Sequence, residues 1–467
     1  MIGGNATISA NVADVSLAGA LVEVIINAGG NIVGNAGLNA TAGTVTVGTT
    51  DLNVGIDNTS GSIGGNASIS FDASGDINQT NGNTFFQILS DQSGDVAASI
   101  GNDATVTVSG ANILTSDQLY VAVENNGSSI GGNAIIDFTA TGDITGNNTF
   151  FVIPNVGGSI GGDAVINVNA ANITADSLLT QIDNTGGSIA GNATINMNVS
   201  GNATVTSDAT FQILGSDGAA AAAINFNGGS YDAGGTFLAF TDGDGTITFN
   251  NASAHADVLK VGALGTNGVL NISGGNLSAD TTLKLYAGGS SGTINFKADV
   301  TLGGNSAKIL AANSVTIFNN VTVTIGGSTA ADVYTNNANY TGFGGNESTT
   351  GTFAGAGAND PQPLSSAPPF GSTNVKTQTL PSTNVTSSGK GGGKATGPAI
   401  NISSSDQLLS LLDGAVLGPG GKITIPGSKI AGNWRDSSGI NAAGRLNAGR
   451  RAADIRDAHS LPGRRLP

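Results

Sequence analysis

Carboxylates dominate the side chains suited to acid–base work in the first 259 residues: 22 Asp and Glu precede the first Lys or Arg, Lys260. Asp72, Asp76, Asp137 and Asp143 are spaced so that they could stand on one side of adjacent turns of a repetitive chain. Paired carboxylates cleave glycosidic bonds, and a lyase adds Arg or Lys as base and anion clamp. Without such a cation, the same aspartates read as polar corner residues. His255, in Ser253-Ala254-His255-Ala256-Asp257, has no second histidine near it and reads as a surface residue, while His459 lies in the tail. No catalytic residue and no cofactor site is expected, and the chain reads as a non-enzyme.

Metal chemistry has one weak candidate. Asp242-Gly243-Asp244-Gly245-Thr246-Ile247 has the shape of half a glycine/aspartate calcium nonapeptide, but it occurs once where such sites need tandem copies. Asp242 and Asp244 therefore read first as turn residues. An acidic half without cations cannot track a phosphate backbone, so nucleic acid is excluded as a partner. No apolar run approaches the ~20 residues that cross a bilayer, so no membrane insertion is expected. The absence of cysteine fits either redox compartment. The 73 glycines follow no triplet period, proline totals 11 and 39% of the chain is hydrophobic, which excludes collagen and an unstructured linker alike.

What could position any of these residues is an internal repeat. Seven copies of Ile-(small)-(Gly/Asn)-(Asn/Asp)-Ala begin at Ile2, Ile32, Ile63, Ile100, Ile130, Ile160 and Ile189. Apolar residues fall at even offsets from each leading Ile, at +4, +6 and +8, and therefore on one face of an extended strand. The +3 residues are Asn5, Asn35, Asn66, Asp103, Asn133, Asp163 and Asn192. They are expected to stack as a corner ladder, tolerating positive φ and bonding copy to copy. The second half of each period alternates a Phe-rich stretch, such as Thr84-Phe85-Phe86-Gln87-Ile88, with a Leu/Val-rich one, such as Leu119-Tyr120-Val121-Ala122-Val123. Asp-Asn or Asn-Asn followed by glycine closes most periods as a turn. A second segment repeats faster, with Thr246-Ile247-Thr248-Phe249, Val269-Leu270-Asn271-Ile272, Thr293-Ile294-Asn295-Phe296 and Val315-Thr316-Ile317-Phe318.

Short strands in a fixed period, with no helical pattern, cannot bury their apolar face alone and must stack. The spacing predicts an all-β parallel β-helix (β-solenoid) with ~30-residue coils over 1–230 and a continuation with a period of about 23 residues over 231–345. Prolines 361, 363, 368, 369, 381 and 398 mark a flexible linker over 346–398. A small helix–strand segment is expected over 399–433, with a capped helix at Ser404–Asp413 and a strand at Lys422–Ile425. The basic tail, 434–467, is expected to be disordered.

These glycine/asparagine coils, the Thr-Ile-Thr-Phe and Val269-Leu270-Asn271-Ile272-Ser273-Gly274-Gly275-Asn276 segments, and the scarcity of Lys, Arg and Cys resemble filamentous-haemagglutinin-type bacterial exoproteins over roughly residues 1–345. The resemblance implies a right-handed β-helical shaft of an adhesin at the bacterial cell surface or outside the cell. It further implies an outer-membrane transporter as export partner, and surface glycans or proteins of a host or of the environment as targets. Because Met1 stands where later copies carry Ser62, Ser129 and Ser159, the sequence predicts a chain that begins in mid-shaft. The alternatives are a β-helical polysaccharide lyase or hydrolase, and a surface-layer or biofilm-matrix component.

Overall fold

The computed structural model describes residues 1–48, 50–92, 96–340, 351–371 and 373, with three short strands beyond them. Among these residues there is no α-helix. Met1–Asp91 with Ala98–Thr373 forms one compact unit, a parallel β-solenoid. Its strands make a 13-stranded sheet from Ala6–Asn11 to Asn337–Asn339, a 20-stranded sheet, and a sheet of six two-residue strands ending at Ser188–Ile189. The second unit comprises Gln92–Ala97 and Asn374–Pro467, and in it Val416–Gly418, Lys422–Thr424 and Ala431–Asn433 pair antiparallel. The expected helix at Ser404–Asp413, the linker beyond 373 and the basic tail lie outside the described residues.

Register follows the repeat. Ile2, Ile32, Ile63, Ile100, Ile130, Ile160 and Ile189 pair in turn, and all but Ile2 are 1–2% exposed. The +6 column runs from Ile8 through Leu38, Ile69, Val106, Ile136, Ile166 and Ile195 to Ile224, Ile247, Leu270, Ile294 and Val315 without a break. The expected boundary at 230/231 is thus a change of coil length within one stack. The long coil devotes residues to the short Ser-Ile strand and its glycine corner. That third layer ends at Ile189, and the next turns close with fewer residues.

The alternation of Phe-rich and Leu/Val-rich stretches has a packing reason. Phe86 and Phe151 point inward beside the smaller Val121 and Thr180, and interleave with aromatics of the facing sheet. Ring centroids lie 5.2 Å apart for Phe71–Phe86, 6.5 Å for Phe86–Phe138 and 5.0 Å for Phe138–Phe151. Large and small residues in alternate layers fill the core without overcrowding identical positions.

Two expectations change. Ser314, not Val315, pairs with Thr293, so Val315 and Ile317 point inward and Phe318 is exposed. With a strand period of two, the one-residue offset in the sequence reading inverted every side chain of that strand. The linker expected from 346 is ordered over 351–371. Thr352–Gly355 pairs with Thr322–Ile325, Ala358 bridges Ala331, and Gln362 bridges Tyr334. The chain then lays Phe370 against Tyr286, centroids 5.1 Å apart, while Lys284 Nζ donates to the carbonyls of Pro369 and Phe370 at 2.9 and 3.2 Å. Side chains of the sheet beneath, Lys284 and Tyr286, thus hold the carbonyls of Pro368, Pro369 and Phe370.

Candidate functional site

Three sets of polar side chains are built by the stacking, and each follows from how a side-chain oxygen or amide meets the coil above it. The first is the predicted corner. Asn5 Oδ1 accepts the backbone N–H of Asn35 at 2.9 Å, Asn35 that of Asn66 at 2.8 Å, and Asn66 that of Asp103 at 3.2 Å. Asp103, Asn133 and Asp163 continue to Asn133, Asp163 and Asn192 at 2.7, 2.8 and 2.7 Å. Only the side-chain oxygen is required, which is why Asn and Asp interchange here. None of these seven residues has positive φ, contrary to the expectation. The glycine before them is required for space. A β-carbon at Gly34, Gly65, Gly132, Gly162 or Gly191 would lie inside van der Waals contact of the ladder oxygen of the preceding coil. Asn102 is the one non-glycine at this position above the first coil, and its ladder bond is the longest of the six.

A prediction follows. Gly162→Ala should cost about 1–2 kcal/mol by displacing the Asn133 oxygen, which strands the Asp163 N–H. In combination with Asn133→Ala the losses should be sub-additive, because both remove one bond. Urea denaturation of the two single variants and the double variant reads this, and strictly additive losses would contradict it.

The second set was not singled out by the sequence. The asparagines that close each period point inward: Asn27, Asn58, Asn125, Asn155 and Asn184 are at most 7% exposed. Asn27 Nδ2 donates to Asn58 Oδ1 at 2.7 Å, Asn125 to Asn155 at 2.7 Å and Asn155 to Asn184 at 2.6 Å. Asn27, Asn58, Asn125 and Asn155 also donate to the backbone carbonyls of Ser62, Ser99, Ser159 and Ser188, each in the following coil. Positive φ sits just beyond, at Gly29, Ser60, Gly127, Gly157 and Gly186. The recurring Asn-x-Gly was the signal, and was read only as a turn. At Ser90 the amide row is broken: Ser90 Oγ and Asn125 Oδ1 are buried without hydrogen-bond partners.

The third set faces outward on the 13-stranded sheet. Asn167, Asn196 and Asn225 each donate an amide N–H to the residue one coil below, at 2.6, 2.7 and 2.9 Å, starting on Asp137. Asn169, Asn198 and Asn227 do the same from Thr139 at 3.0, 2.8 and 2.8 Å. An amide has two donor hydrogens, so each rung retains one for a partner outside the protein.

The reactive residues are dispersed. Asp72 accepts from Ser109, Asp76 accepts from Asn112 at 2.8 Å, Asp137 accepts from Asn167, and Asp143 accepts from Asn172 at 2.8 Å; each is joined to a neutral neighbour and not to another carboxylate. Asp242 accepts from the backbone N–H groups of Gly215 and Ser216 and from the Ser216 hydroxyl, at 2.8–3.0 Å. Asp244 accepts from Asn267 N and Nδ2 at 2.7 and 2.6 Å, which lowers its pKa. Both calcium candidates are thereby engaged in holding turns. No group of three or more His, Asp or Glu suited to a metal ion occurs among the described residues. His255 is exposed on the strand Ser253–Ala263, with Nδ1 2.9 Å from Asp232 and Nε2 3.3 Å from Asp280.

A carboxyl cluster that the sequence did not suggest lies where coils 63–91 and 100–124 meet. Tyr120 donates to Glu124 Oε1 at 2.8 Å, and Asp91 accepts the N–H of Asn126 at 3.0 Å. Burial pushes both carboxyls above the usual range; the charge of Asp91 adds to it at Glu124, while at Asp91 hydrogen bonds from Asn126 oppose it and Asp57 adds to it. His255 is raised by its bond to Asp232, against the opposing effect of desolvation.

All three groups bind protons more tightly when folded. Their contribution is full below the unfolded values of 3.8 and 4.5 for the carboxyls and 6.5 for the imidazole, and is lost as pH rises through the folded values. The thermal midpoint should therefore fall steadily from about pH 5 to pH 8.5, in the same direction as the self-repulsion of a chain with net charge −16. A midpoint that rises over this range in a scanning-calorimetry series would contradict the assignment.

No protein-family model, no curated protein and no solved structure matches this chain.

Proposed function

We propose that the chain is a structural shaft, a secreted or cell-surface adhesin-like protein whose stacked coils present a repeated polar surface to glycans or proteins. The observation that carries this reading is the pair of outward amide ladders, Asp137–Asn167–Asn196–Asn225 and Thr139–Asn169–Asn198–Asn227, which offer the same donor at three successive coils. Neighbouring strands lie about 4.8 Å apart, so weak contacts can be made many times along one ligand. The side chains there are mostly hydroxyls and amides, with Ile135, Val165 and Val269 between them and Asp72, Asp137 and Lys297 as the charges, which suits neutral hydroxyl-rich polymers better than strongly charged ones.

Retention of the purified chain on arrays of neutral polysaccharides, host glycans and matrix proteins tests it. The triple variant Asn167→Ala, Asn196→Ala, Asn225→Ala should lose most of that retention. Equal retention by the variant, or none by either protein, would remove the proposal.

A second reading has one observation in its favour. The Tyr120–Glu124–Asp91 cluster contains carboxyls whose pKa is raised, the condition for a general acid in glycoside hydrolysis. Release of reducing sugar from pectin, alginate or host glycans that disappears in Glu124→Gln would favour this enzyme over the shaft.

A further inference from the structure

The outward side of the 20-stranded sheet has a gap one side chain wide. Phe240, Gly262 and Tyr286 pair in turn in a column that points away from the core, while their neighbours Ala239, Val261 and Leu285 point into it. The glycine leaves a hollow between the two aromatic positions. A β-carbon on Gly262 would lie 2.7 and 2.9 Å from ring atoms of Phe370 and 2.9 Å from Leu264 Cδ2, so the missing side chain is what admits the Phe370 ring. Tyr286 meets that ring at 62°, the edge-on arrangement that aromatic pairs prefer.

The adjacent outward column holds Lys260 and Lys284, which pair with each other. A β-carbon on Gly371 would lie 3.6 and 3.8 Å from their ammonium nitrogens, so both cations stand where the chain leaves the hollow. Lys284 donates there to the neutral carbonyls of Pro369 and Phe370, and its pKa is lowered by burial and by the charge of Lys260. A carboxylate in place of the Phe370 carbonyl would give Lys284 a bond between full charges and offset that repulsion.

The segment now seated in the hollow is held by few contacts. Phe370 is the single buried side chain from Asn359 to Gly371, and the last backbone bond to the sheet is the one that Gln362 accepts from Thr335. A stretch with so little buried area opens locally at a small part of the global stability. Ala367, at φ −60° and ψ 136°, leads into Pro368 and Pro369 in the polyproline II form in which proline-rich peptides dock on aromatic grooves.

We propose that this hollow is a docking site for extended peptides that end in two prolines and a phenylalanine with a free carboxyl group, and that Pro368–Phe370 of this chain closes it in cis. The chemistry of the occupant is that of the segment seated there: a ring over Gly262, proline carbonyls facing Tyr286 and Lys284, and a terminus beside two lysines. A tethered ring competes at high effective concentration, so the affinity of the intact chain for a free peptide is reduced by the closed fraction.

Fluorescence anisotropy of the intact chain with a labelled peptide of residues 361–370, ending in a free carboxylate, tests this. Phe370→Ala, which empties the hollow, should bind the peptide at least tenfold more tightly than wild type does. Adding Gly262→Leu, which fills the hollow, or Tyr286→Ala, which removes its wall, should abolish that binding, with far-UV circular dichroism verifying that each variant retains its coils. The same peptide with an amidated end should bind Phe370→Ala at least fivefold more weakly. No binding by Phe370→Ala, undiminished binding once either folded second change is added, equal affinity of wild type and Phe370→Ala, or equal affinity for the carboxylate and the amide would each overturn the proposal.

Discussion

Replacing Asn155 by leucine is expected to destabilise the solenoid by about 3–5 kcal/mol, because it strands several buried groups at once at about 1–3 kcal/mol each. Asn155 is fully buried, accepts from Asn125 and donates to Asn184 and to the carbonyls of Gly158 and Ser188. Leucine has the same number of side-chain heavy atoms and the same branching, so the change opens no cavity and removes the amide network. The neighbouring Val156→Ala, at a 43% exposed side chain, should change stability by less than about 0.5 kcal/mol. Hydrogen exchange distinguishes the cause: protection should fall at Asn125–Ser129 and Asn184–Ser188 in the adjacent coils, and hold at Ile247. Uniform loss along the whole stack, or none, would mean that the amide row is not what holds these turns.

Phe226→Ala should be comparably damaging, about 3–5 kcal/mol for an aromatic removed from a packed core. Phe226 lies where long coils give way to short ones, and touches rings from both sheets. Phe249 is stacked on it at 4.6 Å, with Phe211, Tyr231 and Phe237 at 4.9, 5.2 and 5.5 Å. Stability in a stack is a sum of coils and the interfaces between them, so a weakened interface should uncouple its two sides. Urea melting of the variant should show two transitions where the wild type shows one, and Phe226→Leu should recover most of the loss. A single transition at the wild-type midpoint would remove the ring cluster from the account of how the two coil lengths are joined.

These expectations locate what could be read in advance. The stacking of Ile100, Ile130 and Ile160 was legible because a strand alternates with a period of two and each repeat returns the same residue to the same face. The corner oxygens of Asn133 and Asp163 were legible for the same reason, although their conformation was not: glycine there serves close approach. The buried row of Asn27, Asn125, Asn155 and Asn184 was hidden by a general rule, since Asn before glycine ordinarily marks an exposed turn. Only the interior of a closed coil gives its amide partners above and below.

The sequence by itself determined that the chain is a stack of strands, which residues fall above one another, and where the coil shortens, since all three follow from periodicity along one dimension. The tertiary structure decided what periodicity cannot carry. It placed Glu124 beside Tyr120 and near Asp91, gave His255 two carboxylates, and folded residues 351–371 back onto the sheet. Those relations depend on which side chains from different coils meet across a surface, and on how much water is excluded where they do.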